Sequence, residues 1–354
     1  MVIATHLFSK MDGITNNLRL LAEFGQMGVQ LFFVASAYTL CLSASKPQTD
    51  LHPNTSFFLR RFFRIAPMYY IAILIYFTRH VVNQFEVWPE FNIDPYTLKN
   101  VAANIFFVHG FTPAAVSSIV PGGWSIATEM CFYLIFPSLF LFCKNLKTRF
   151  GEHSLFILSI VALVCSVLIA LAASFFSGKP FKNNGFLYFS ITTQLPVFLI
   201  GMATFFRDRT HPNPKILLSA PAFFLGCVIS FTLLRRGSGP AMVLAPYFAA
   251  IAFSHLLPLL RMFVRNKSGA VAKIGEASYS MYILHWLFLP PALNLYRFSL
   301  KAGVPAFLSG AAVFIGTVAL TYFFARLTAH AIENRGIAFG HSVGAALNNQ
   351  KAYL

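Results

Sequence analysis

Charge is scarce in this chain. Only 11% of its 354 residues are Asp, Glu, Lys or Arg, and just 11 are acidic, which excludes a soluble globular domain of this length. Cysteine is equally thin. The five residues (Cys41, Cys131, Cys143, Cys165 and Cys227) lie in apolar stretches and form no Cys-x-x-Cys pair, so they read as small core side chains and not as disulfides or metal ligands. No Gly-rich phosphate loop and no His-Glu-x-x-His zinc pair occurs. A Gly-x-Ser-x-Gly elbow is also missing, and His6 to Asp12 is one residue too long for the His-x-x-x-x-Asp pattern of glycerolipid acyltransferases. No internal repeat, low-complexity tract or long linker interrupts the chain.

What remains is hydrocarbon. With 57% hydrophobic residues and a mean hydropathy of +0.65, apolar runs of roughly 17–25 residues recur from end to end, as in membrane-spanning helices. Lipid satisfies no backbone polar groups, so the expected fold is all-α, a polytopic membrane helix bundle. About ten spans are predicted: 1–9, 27–43, 65–79, 124–143, 155–176, 186–206, 216–234, 241–260, 278–296 and 304–328. Residues 101–111 are too short to cross and are read as an interfacial or re-entrant piece. With an even number of spans and both termini cytoplasmic, most of the 27 Lys and Arg fall on the cytoplasmic side, as the positive-inside rule requires. The net charge of +16 is scattered between spans, which favours anionic lipid headgroups over nucleic acid. Residues 1–354 are expected to form a single integral-membrane domain with no appended soluble domain. Its first span looks truncated, because Met1–Ser9 is half a crossing. Without a basic leader or small-residue cleavage site, that segment does not read as a cleaved signal peptide.

Glu129 is the one acidic residue inside an apolar run, Trp124-Ser125-Ile126-Ala127-Thr128-Glu129-Met130-Cys131-Phe132-Tyr133. A carboxylate in hydrocarbon costs several kcal/mol unless it is paired, protonated or facing a wet cavity, so it marks a functional site unless a neighbouring span merely satisfies it. Counting inward from Pro121-Gly122-Gly123, Glu129 lies roughly 8 Å deep, and His6 near the outer end of the first span lies at similar depth. An imidazole beside a carboxylate can act as a general base on a hydroxyl; the alternative is an interfacial His without a role. Tyr133 shares the Glu129 helix face, and Trp124 and Ser125 open the same helix. Arg60, Arg61 and Arg64 start the third span. Their forked donors suit phosphoryl oxygens, and equally they suit ordinary topological anchoring. His285 is near mid-membrane on the ninth span, either a pathway residue or a buried His satisfied by a hydroxyl. His255 and Ser36 read as structural polar residues.

Taken in order, these segments resemble the integral-membrane acyltransferase 3 family, whose members O-acylate cell-surface sugars. The resemblance runs through His6, Gly28-Val29-Gln30-Leu31-Phe32-Phe33-Val34-Ala35-Ser36, Arg60 to Pro67, Trp124-Ser125 to Glu129, Phe132-Tyr133 and Pro137, Ser278-Tyr279-Ser280 to His285, and Glu333. It implies a multi-pass protein of the cell inner (plasma) membrane, moving an acyl group, commonly acetyl, from cytoplasmic acyl-CoA to a hydroxyl of an extracytoplasmic carbohydrate. No bound cofactor or metal is implied; acyl-CoA is the donor substrate, and membrane lipid and a carbohydrate acceptor are the partners. His6 would be the base, Glu129 its orienting or charge-balancing partner, and the Arg cluster the holder of the CoA phosphates. Trp124, Ser125, Tyr133 and His285 would serve in binding donor or substrate. The family pattern places an Arg about ten residues before the first-span His, ahead of Met1. Ala37 stands where Gly is usual, Met130 where a second acid is common, and Glu333-Asn334 lacks a following Pro.

Two other readings stay open on the sequence. One is a transporter or flippase in which Glu129 and His285 relay protons. The other is a catalytically inert relative that acts as a binding partner.

Overall fold

The computed structural model describes residues 1–46, 52–82, 95–179, 181, 185–210, 216–237, 239–263 and 269–349. Among the described residues the regular structure is helical and no strand occurs. The helices are α1 (Val2–Phe8), α2 (Asn16–Glu23), α3 (Gly28–Ala44), α4 (Pro53–Val82), α5 (Leu98–Ile105), α6 (Gly123–Phe150), α7 (His153–Ser177) and α8 (Phe186–Phe189). They continue with α9 (Ile191–Thr210), α10 (Ile216–Leu234), α11 (Ala241–Phe263), α12 (Ala270–Glu276), α13 (Ser278–Lys301), α14 (Ala306–Thr328) and α15 (Asn334–Asn349). A π-helical turn, Ala329–Glu333, joins α14 to α15.

Among the described residues, six helical stretches are long and apolar enough to cross a membrane: Asn16–Ala44, Pro53–Val82, Gly123–Phe150, His153–Ser177, Phe186–Thr210 and Ala306–Leu347. The expected spans at 216–234 and 241–260 appear as shorter apolar helices, Leu218–Leu234 and Ala241–Leu257. At 278–296 the chain forms α13, which has ample length but carries Ser278, Ser280, His285 and Arg297. At 1–9 it forms only the seven residues of α1.

The bundle is apolar on the outside. On α7, Ile157, Val161, Val164 and Leu168 are exposed while Ser159 and Ser166 are buried. Ser159 Oγ meets Tyr247 Oη at 2.9 Å, and Ser166 Oγ donates to the Thr192 carbonyl at 2.6 Å. Such an inverted distribution, polar in and apolar out, suits a helix facing lipid and contradicts one facing water.

Proline decides several of the helix contacts. A Pro inside a helix removes the N–H that would bond the carbonyl four residues earlier, and in an apolar bundle that carbonyl must be satisfied from elsewhere. Pro196 frees the Thr192 carbonyl, and Ser166 takes it. Pro290 frees the Trp286 carbonyl, which accepts from Arg79 Nη1 at 3.2 Å and so ties α13 to α4. Pro67 frees the Phe63 carbonyl, and there the glycine face of α15 closes on α4.

That face is formed by Gly336, Gly340 and Gly344, spaced four apart on one side of α15. A Cβ at Gly336 would sit 2.5 Å from the Phe63 carbonyl oxygen, and one at Gly340 would sit 2.9 Å from Phe63 Cβ. At Gly344 the nearest atom is Ser56 Oγ at 3.8 Å, an ordinary contact. The C-terminal helix therefore rests on the stretch of α4 that carries Arg60, Arg61 and Arg64. Gly336→Val should push α15 off α4 and cost about 1–3 kcal/mol, whereas Gly344→Ala should be neutral or slightly stabilising. Thermal unfolding in detergent separates the two; equal melting temperatures would mean that α15 does not pack this way.

Candidate active site

Two polar clusters lie at different levels of the bundle. The first surrounds His6. Its ring centroid is 4.1 Å from that of Trp286 and 5.6 Å from that of His285, with 24° between the two imidazole planes. His285 is fully buried, and its Nδ1 lies 2.6 Å from the Tyr282 carbonyl oxygen one turn earlier. Ser125 Oγ donates to Tyr282 Oη at 3.0 Å, and Tyr282 Oη donates to the Gly122 carbonyl at 2.9 Å. Gly122 has φ +76°, the left-handed region that glycine favours, and a Cβ there would lie 2.7 Å from Tyr282 Oη. Both demands fix glycine at the turn that starts α6. A cavity of about 790 Å³ opens beside this cluster, lined by His6, Arg79, Trp124, Tyr188, Tyr282 and Trp286 among others. Trp124 forms part of its wall while stacking on Phe189 at 4.4 Å and 21°.

The second cluster surrounds Glu129, whose side chain is buried. Its Oε1 accepts from Tyr133 Oη, one turn along the same helix, and from Ser36 Oγ of α3 at 2.9 Å. Arg61 and Arg64 are the cations whose charge acts on it, and the Arg61 guanidinium lies 5.9 Å from the Tyr133 ring and 5.8 Å from the Phe57 ring. Arg60 stands on the same turn of α4, half-buried. A second carboxylate joins from the far end of the chain. Glu333, in the π-helical turn, is buried, accepts from Ser280 Oγ of α13, and also feels the charge of Arg64. The two buried carboxylates thus share Arg64.

The structure does not bring His6 and Glu129 together, contrary to the pairing expected from sequence. The contact of Val2 with Gly28 sets the level. From it, His6 lies four residues away along α1 and Ser36 eight residues the opposite way along α3, a separation of roughly 18 Å along the bundle at 1.5 Å per residue. The expectation failed because it counted depth from Gly123 as though that residue stood at the membrane surface. In the fold, the preceding segment packs over it: α5 is only eight residues long, the chain turns back at Phe107 (φ 58°), and His109 is buried with Nε2 3.0 Å from the Gly123 carbonyl. Residues 101–111 therefore pack over the start of α6, which lies sunken within the bundle. Six residues beyond that start, Glu129 is level with the arginines.

The other site residues divide between the clusters. Trp124, Ser125 and His285 join His6; Tyr133 joins Glu129 beside Arg60, Arg61 and Arg64. His255, expected to be structural, lies within electrostatic reach of Arg207 and Asp208, which form an ion pair at 3.2 Å. Two members escaped sequence reasoning. Ser36 read as a mid-span structural hydroxyl, yet it donates to the buried carboxylate. Trp286 is not singled out by the sequence, yet it packs against His6. Among the described residues no group of three or more His, Cys, Asp or Glu could hold a metal ion.

His6 thus lines a cavity at one level of the bundle, and the arginines cluster at another. Residues 1–326 match the acyltransferase 3 family model, described as an acyltransferase domain, and the chain belongs to that family. It is 24% identical over 335 residues to O-acetyltransferase OatA of Staphylococcus aureus, covering 87% of this chain and 52% of that protein. It is also 24% identical over 294 residues to acyltransferase MdmB of Streptomyces mycarofaciens (76% and 69%). A third relative, peptidoglycan O-acetyltransferase OatA of Listeria monocytogenes, is 25% identical over 288 residues (75% and 45%). The chain spans about half the length of the OatA proteins it matches. No solved structure matches it.

Ser36→Ala and Tyr133→Phe each strip one donor from a buried carboxylate, so each should destabilise the protein by about 1.5–3 kcal/mol. Combined with Glu129→Gln, the losses should be less than additive in melting temperature, since the bonds share one acceptor. Full additivity would show that the carboxylate is held by something else.

Proposed function

We propose that this protein is a membrane O-acyltransferase that moves an acyl group, acetyl in the first instance, from acyl-CoA to a hydroxyl of a carbohydrate across the membrane. The observation that carries the reading is the division of the site. An imidazole lines a cavity of about 790 Å³ at one level, and three guanidinium groups lie at the other. The relatives named as O-acetyltransferases support acetyl as the group, and the peptidoglycan O-acetyltransferase supports a cell-surface glycan as the acceptor.

Arg60, Arg61 and Arg64 present forked donors of the kind that pair bidentately with the phosphates of coenzyme A. Glu129 is assigned to this cluster as the acid that holds Arg61 and Arg64 in place, and no longer as the partner of His6. Between the levels lies a smaller cavity of about 150 Å³, bounded by Gly28, Phe32, Ser125, Ser278 and Tyr279, which shares Val2, Val29 and Tyr282 with the large one. A slender acyl-bearing arm entering from the arginine side suits this passage. The acceptor sugar suits the large cavity, where Trp124, Tyr188, Tyr282 and Trp286 offer flat apolar faces to a ring and Asn100 and Ser118 offer polar contacts.

In this reading His6 removes the proton of the acceptor hydroxyl as it attacks the acyl carbonyl. On the same reading the arginines face the cytoplasm, the His6 cavity opens to the opposite side, and the long apolar helices carry the chain across the inner membrane. Proton relay by Glu129 and His285, the basis of a transport reading, loses support because the two side chains belong to separate clusters.

Sealed membrane vesicles with labelled acetyl-CoA on the arginine side, read out as label in glycan, test the assignment. His6→Ala should cut transfer by about 100-fold or more at unchanged protein level. Arg61→Ala and Arg64→Ala should instead raise KM for acetyl-CoA with little change in kcat. Wild-type transfer by His6→Ala would remove the base; an unchanged KM would return the arginines to topological anchors.

A further inference from the structure

The wall that α13 presents to His6 holds two polar atoms without partners. Trp286 Nε1–H has no acceptor and His285 Nε2 has no donor, and both atoms are shut off from solvent. Buried polar atoms in folded proteins are nearly always paired, so two orphans of opposite sense on consecutive residues beside one imidazole need an explanation. The protonation of His285 follows from its neighbour. The Tyr282 carbonyl can only accept, so Nδ1, 2.6 Å away, carries the hydrogen and Nε2 is a bare lone pair. The position of Trp286 is fixed as well. Its ring packs 4.1 Å from that of His6, and its backbone carbonyl, released by Pro290, is held by Arg79.

We propose that His285 and Trp286 complete the reaction centre around His6. His285 is a positioning residue: its bare Nε2, unpartnered in this structure beside the His6 ring, accepts the ring N–H of His6 when that ring turns toward it and leaves the other His6 nitrogen free to take a proton. Trp286 is the oxyanion donor: its ring lines the cavity, and its Nε1–H, covered and without an acceptor in this structure, turns outward to bond the acyl carbonyl oxygen as negative charge develops there. This assignment rests on the acyl-transfer reading above.

The step balances. The acceptor hydroxyl oxygen attacks the thioester carbonyl carbon, a C–O bond forms, and the hydroxyl proton passes to the free nitrogen of His6. The oxyanion accepts from Trp286. It then collapses, the C–S bond breaks, and the departing thiolate takes the proton from His6 to leave as the free thiol of coenzyme A. His6 returns neutral, with its tautomer again set by His285. A hydrogen-bond donor to an oxyanion in a dry site is worth far more than the same bond in water, and that is the use proposed for a buried indole N–H with no resident acceptor.

The test uses full-length protein in vesicles with labelled acetyl-CoA. Trp286→Phe keeps a flat ring against His6 and deletes only the N–H. It should lower kcat about 100-fold while KM for acetyl-CoA stays within about threefold. His285→Leu should likewise lower kcat at near-constant KM. His285→Gln, whose side-chain oxygen can stand where Nε2 stood, should recover at least a tenth of the wild-type kcat. A purely structural role would instead lower the amount of folded protein and affect Leu and Gln variants alike. Wild-type kcat in Trp286→Phe, or equal kcat in the Leu and Gln variants, overturns the assignment while the acyl-transfer reading stands. Failure of the wild-type protein to transfer label overturns both.

Discussion

Every polar group inside this molecule must find its partner within the protein, because the surrounding medium supplies none. That constraint explains more of the structure than any single residue does. Helix-breaking prolines create carbonyls without donors, and those carbonyls become the points at which neighbouring helices attach: Ser166 at Thr192, and Arg79 at Trp286. The buried acids obey the same rule. Glu129 draws hydroxyls from two helices and Glu333 draws one from α13, while Arg64 supplies countercharge to both. A few buried atoms among the described residues break the rule, Glu129 Oε2 and Thr321 Oγ1 among them, and two of these, His285 Nε2 and Trp286 Nε1, do so side by side next to His6.

Separation of charge and base follows from the chain path. Had α6 begun at the membrane surface, its glutamate would have met His6. Because segment 98–122 occupies that space, α6 starts lower and its glutamate reaches the arginines. The His6 cavity consequently has aromatic walls, with His, Arg, Gln, Ser and Asn among its polar members.

Much of this was legible in the sequence and some of it was not, for reasons that differ residue by residue. The long helices announce themselves as apolar runs, and the shortness of the apolar piece at 101–111 sets it apart from them. Glu129, His6 and His285 stand out because an ionisable group in hydrocarbon is costly. Which of them meet could not be read, since that depends on the depth at which α6 begins, and the packing of His109 and Tyr69 around Gly123 sets that depth. Ser36 is one hydroxyl among many, and nothing local separates a donor to a buried acid from one bonded to its own helix. Trp286 is one aromatic among many in an apolar run, and nothing local marks its contact with His6. The glycine spacing 336–340–344 was available as a pattern, but its target, a carbonyl exposed by Pro67, belongs to a helix more than two hundred residues away.

Both clusters hang on one strut. α4 carries Arg60, Arg61 and Arg64 near its start, and further along its Tyr76 and Arg79 are bonded to the backbone of α13 at Ile283 and Trp286. Its interior proline, Pro67, lies between the two sets and is its natural point of flexure. A load applied at the guanidinium end is therefore borne at the indole end, so neither half of the machinery can relax without straining the other.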